Sequence, residues 1–145
     1  MLMKTQVYDI IIGLCLALTL LTACNDDATP PTEEEQFHTK LDGTWKMTDA
    51  RVDDLPVTSA FTGLTLVLDG NIYEITNAVP PIWPNGGTIA LEKTQGAQPF
   101  ALKRSDDVVM TVTELTATTL ALKFQYTAAN NNGRLSGNYE FRFTK

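Results

Sequence analysis

Two cysteines and one histidine are the whole thiol and imidazole stock of this 145-residue chain. Cys15 lies inside an N-terminal apolar run and Cys24 directly after it, so the remainder carries no thiol at all. A transition-metal centre draws on several such ligands, and His38 alone cannot supply one. Positive charge is also scarce. Eleven Lys and Arg stand against seventeen Asp and Glu, for a net charge of −6, which is the opposite of a nucleic-acid-binding surface. No apolar run is long enough to span a bilayer: Ile10–Leu21 has 12 residues, and a spanning helix needs about 20. Beyond the acidic N-terminal stretch, adjacent carboxylates occur at Asp53–Asp54 and Asp106–Asp107. Neighbours on a strand point to opposite faces, so these pairs read as turn formers. Gly133-Arg-Leu-Ser-Gly137 lacks the Gly-x-Ser-x-Gly spacing and the strand-turn-helix setting of a nucleophile elbow. The expectation is a protein that is not an enzyme and needs no cofactor and no metal.

The N-terminus does carry a pattern. Lys4 and the α-amine precede the 12-residue apolar run, which has the length of a secretory h-region. The run ends Leu21-Thr-Ala-Cys24, and this resembles the lipobox of bacterial lipoproteins. The resemblance implies cleavage before Cys24, lipid on its thiol, and anchoring by two or more acyl chains. Asn25 to Gln36 follows, rich in Pro, Thr and acid and free of large apolar residues. Such a stretch buries too little surface to offset chain entropy, so 24–37 is expected to be a disordered acidic tether. It holds five acidic and no basic residues, while Phe37–Lys145 holds eleven acidic and ten basic. The domain itself is therefore near neutral. Acid directly after the cysteine also resembles the export signal of surface lipoproteins in Bacteroidota-type bacteria. Either that or a plain solvated spacer accounts for it, and the expected location is the outer membrane, facing the periplasm or the cell surface.

Period-two alternation dominates the rest, which is the mark of half-buried strands. Leu120, Leu122, Phe124 and Tyr126 share one face, as do Tyr139, Phe141 and Phe143. Turn signals separate the runs, notably Asp69-Gly70-Asn71 and Asn130–Gly133. No segment shows a sustained helical period with caps. The pattern predicts an all-β domain over 38–145 with about eight antiparallel strands near 43–52, 61–68, 71–77, 87–93, 98–104, 107–115, 118–127 and 136–144. Short connections favour up-and-down order, closed as a barrel, with a two-sheet sandwich as the alternative.

Gly43-Thr-Trp45 resembles the Gly-x-Trp opening of lipocalin-like proteins. Trp83-Pro84, Gly86-Gly-Thr88, Lys103-Arg-Ser-Asp-Asp107, Leu115–Leu122 and Gly133–Phe141 are similar to small lipocalin-like lipoproteins of Bacteroidota-type bacteria. The resemblance implies a barrel of about eight strands, and in many such barrels a small apolar ligand. It also implies a late arginine over the Trp45 ring. Arg142 is the candidate by position, although alternation puts it opposite Phe141 and Phe143. Gly43 and Trp45 are read as a structural motif, with Trp45 plugging one barrel end. Trp83 and Ile82 lie in a Pro-flanked loop. They either contact a ligand, a glycan or a partner of an envelope complex, or fold inward as a lid. Tyr73 and Phe124 are the inward residues singled out as candidate ligand contacts. Their bulk, with that of Leu66, Phe100, Met110, Leu122, Tyr139 and Phe141, favours a filled interior.

Overall fold

The computed structural model describes residues 29–128 and 135–145. The apolar leader, Cys24 and the Asn130–Gly133 turn lie outside the described residues. The compact unit Thr32–Lys145 opens with a helix, α1 (Glu33–Leu41). Among the described residues nine strands follow: β1 (Gly43–Val52), β2 (Leu55–Pro56), β3 (Thr65–Asp69), β4 (Ile72–Thr76), β5 (Gly86–Lys93), β6 (Phe100–Arg104), β7 (Val109–Leu115), β8 (Thr119–Tyr126) and β9 (Gly137–Thr144). A short 3₁₀ turn, Thr58–Phe61, precedes β3.

One sheet contains these nine strands, in the order β2-β1-β3-β4-β5-β6-β7-β8-β9, and β1 also pairs with β9. β1 divides its length between two partners. Gly43–Lys46 pairs with β3, and Lys46–Val52 pairs with β9 across an irregularity between Met47 and Asp49. That division closes an eight-stranded antiparallel barrel and leaves the two-residue β2 as an extra strand. The sandwich alternative is thereby excluded. Closure removes the exposed edges that an open sheet must protect.

Alternation is carried into burial. Leu120, Leu122 and Phe124 of β8 are buried while Lys123 and Gln125 are exposed, and Tyr139, Phe141 and Phe143 of β9 repeat the pattern. The eight inward residues named from sequence are all buried. A register shift between Val112 and Glu114 reverses the phase of β7, which turns Leu115 inward. Val52 and Leu55 flank Asp53 and Asp54, both at positive φ (46° and 65°), as in the two-residue turns whose twist matches a hairpin.

Two expectations need correction. The tether is not unstructured through Phe37, because α1 begins at Glu33. Thr32 and Glu35 form a reciprocal capping box, which satisfies two end amides. Phe37 and Leu41, four apart on one face, are buried, and the Phe37 ring meets Phe100 edge-on at 5.2 Å. A short helix is stabilised mainly by such packing. The strand expected near 61–68 starts at Thr65, since Phe61 belongs to the 3₁₀ turn and Gly63 takes φ 75°. Phe61 still reaches the core, 4.9 Å from the Phe141 ring.

The strand registers define two barrel ends. Gly43, Phe100, Leu115, Thr119 and Thr144 lie at the α1 end; Val52, Arg104, Tyr126 and Gly137 lie at the other.

Candidate ligand site at the far end of the barrel

At the α1 end the Gly-x-Trp motif is structural. Trp45 is fully buried, and its indole Nε1–H donates to the Leu41 carbonyl (2.7 Å). The ammonium of Lys145 covers the ring and donates to the carbonyls of Lys40 (2.8 Å) and Asp42 (2.6 Å). Gly43 makes that path possible. It sits at φ 135°, and a Cβ there would lie 2.9 Å from Lys145 Cε. The basic residue over the tryptophan is thus Lys145 and not Arg142. Arg142 faces outward, near Glu140 (3.3 Å) and Glu114 (3.6 Å), as the phase of β9 requires.

The far end is filled by the connection between β4 and β5. Val79 and Trp83 bridge each other, with the Trp83 amide donating to the Val79 carbonyl (2.9 Å). The Pro80–Pro81 bond between them is cis. Ile82 and Trp83 of this connection are both buried. The Trp83 ring meets Phe124, Phe141 and Phe143 edge-on, at 5.6, 5.2 and 6.2 Å. Edge-to-face contacts at these separations suit the ring quadrupoles. Of the two readings for this loop, the inward lid is the one observed.

Among the described residues, Arg104 is the one charged side chain that is buried, at 1% exposure. Its Nε–H donates to Asp106 Oδ1 (3.0 Å), its Nη2 pairs with Asp106 Oδ2, and its Nη1–H donates to the Ile82 carbonyl (2.7 Å). The guanidinium carbon lies 5.5 Å from the Trp83 ring centre and 5.8 Å from that of Phe124. A buried cation is tolerated only when its donors are met, and the fork geometry of arginine meets a carboxylate two bonds at a time. The Arg104 hydrogen bonds hold the Asp106 carboxyl below the ordinary carboxylate range, against the opposing effect of burial. Burial pushes the Tyr73 hydroxyl up. A Cβ on Gly87 would lie 3.1 Å from the Tyr73 ring and 2.8 Å from Ser105 Oγ. Glycine is therefore what lets these side chains close on one another.

No family model matches this chain, and comparison with curated proteins and with solved structures gives no match either.

The geometry thus gathers three of the expected contacts, Ile82, Trp83 and Phe124, around Arg104 at one end. Tyr73 is buried near the same end, while Gly43 and Trp45 are held at the opposite one. Arg104 was not singled out from sequence. Phe100, Leu102 and Arg104 alternate in step, so period two alone puts Arg104 inward, against the usual habit of a charge. Two grooves share residues with this cluster. One, of about 410 Å³, is bordered by Arg51, Lys123, Phe124, Asn138 and Glu140; another, of about 470 Å³, by Val67, Ile72, Tyr73, Gly86 and Gly87.

Proposed function

We propose that the chain is a membrane-anchored, lipocalin-like lipoprotein of the outer membrane. Acyl chains on Cys24 would hold it, and its barrel would take up a small apolar molecule at the end that Trp83 now fills. The observation that carries the reading is the source of the filling. The α1 end is plugged by a residue of the barrel wall itself, Trp45 on β1. The far end is plugged by a connection, whose side chains can leave without unpairing any strand of the barrel. An aromatic side chain buries about 150–250 Å², so a ligand replacing Trp83 must recover about 4–6 kcal/mol of apolar burial. An apolar molecule with a ring or a short chain does so.

The reading is tested by native mass spectrometry of the purified full chain. A copurified small apolar molecule is the expected result. A clean apo mass, together with no uptake of an added apolar dye, would overturn the carrier role.

A further inference from the structure

The donors at the far end are supplied unevenly. Asp106 takes two of the Arg104 donors, but Nη1 is left with the main-chain carbonyl of Ile82, a residue of the plug. Beside it, the indole Nε1–H of Trp83 is buried and has no acceptor. A buried donor left unmet carries a desolvation penalty. The Asp106 side chain is 40% exposed where that of Arg104 is 0%, so Asp106 can turn to water while the cation cannot. What this end calls for is a further anionic acceptor with an apolar body.

We propose that Ile82–Trp83 acts as a self-supplied plug, and that the ligand it gives way to is an apolar molecule bearing a carboxylate. The ligand's carboxylate would replace the Ile82 carbonyl on Arg104. Its apolar part would take the place of Trp83 against Phe124, Phe141 and Phe143. Charge-assisted hydrogen bonds are roughly twice as strong as neutral ones, so the guanidinium selects the acid over the matching alcohol. This inference rests on the carrier reading above and adds to it the class of ligand and the residue that recognises it.

The test is ¹⁹F NMR of the full chain labelled with 5-fluorotryptophan. The chain has two tryptophans, so two resonances result, assigned with Trp45→Phe. Decanoate should move the Trp83 resonance and leave that of Trp45 in place. The neutral 1-decanol should need about tenfold more for the same effect. Arg104→Met should erase that preference. Asp106→Asn, which keeps the guanidinium and removes its competitor, should widen it. Equal affinity for acid and alcohol, or a preference that survives Arg104→Met, overturns the role of Arg104 and leaves the carrier reading standing. A Trp83 resonance moved by neither probe overturns the plug. Paired with a clean native mass, that result removes the carrier reading too; paired with a copurified apolar molecule, it leaves carriage intact.

Discussion

The Lys145 ammonium lies 4.3 Å from the centre of the Trp45 ring and donates to the carbonyls of Lys40 and Asp42 on the α1 side. One side chain thereby ties the last strand, the first strand and the end of the helix together. Lys145→Ala removes two hydrogen bonds and the cation–π contact. Lys145 is exposed, so the expected cost is about 1–2 kcal/mol, read by urea denaturation. Gly43→Ala should be costly in the parent chain, by about 1–3 kcal/mol, and less so beside Lys145→Ala, because the 2.9 Å approach to Lys145 Cε is then gone. A double-mutant cycle measures that coupling; strict additivity would show the two residues to be independent.

The two tryptophans should answer differently to the same change. Trp45→Phe loses the bond from Nε1 to the Leu41 carbonyl, whereas the Trp83 Nε1 makes none. Trp83→Phe should therefore be the milder of the two by about 1 kcal/mol. Trp83→Ala should cost about 3–5 kcal/mol, as emptied core sites do. Thermal or chemical unfolding of the three variants decides it, and a Trp83→Phe as harmful as Trp45→Phe would contradict the assignment.

Asp106 predicts an acid sensitivity. Its folded carboxyl titrates below the ordinary carboxylate range because Arg104 hydrogen-bonds the charged form. A depressed carboxyl contributes stability that is present above its unfolded pKa and lost as pH falls through the folded one. The parent chain should thus weaken below about pH 4 through this group, and Asp106→Asn should remove that part of the pH dependence. At neutral pH the same variant should cost about 1–3 kcal/mol. That is less than the 3–5 of a fully buried pair, because water reaches the carboxylate. Denaturation of both chains between pH 3 and 7 (chosen to bracket about 3.9) makes the comparison.

The proposed anchor has its own test. Cys24→Ser should move the protein from the membrane fraction to the soluble one, or leave the leader uncleaved. A variant that is processed and still sediments with membranes would show that Cys24 does not hold it.

Much of the barrel was legible because its strands are half buried, and half burial writes period two into the sequence. Closure was not, since barrel and sandwich share that period and differ in one long-range fact: β1 leaves β3 at Lys46 and continues on β9. Helix α1 was hidden by its first turn. Glu33, Glu34 and Glu35 read as solvated charge, and the two apolar residues that pin the helix, Phe37 and Leu41, fall at the edge of that acidic tract. Thr32 and Glu35, three apart, were the signal that marks its start. At the candidate site, Trp83 and Phe124 stood out by size, and burial then decided between rim and lid. Arg104 was obscured by its charge, although its place in step with Phe100 and Leu102 put it inside.

The division of β1 also sets an order of events. Val52 finds Tyr139, and Ala50 finds Phe141, only after almost the whole domain has been made. Strands β3 to β8 can each add to the strand before it in sequence, but the ring cannot shut until the final strand arrives. Bringing such distant segments together is slow. Until then half of β1 presents an unpaired edge, which is the kind of surface that invites mispairing. A chain that must emerge N-terminus first would carry that open edge for longest, and shutting the ring becomes the single late step on which the whole fold depends.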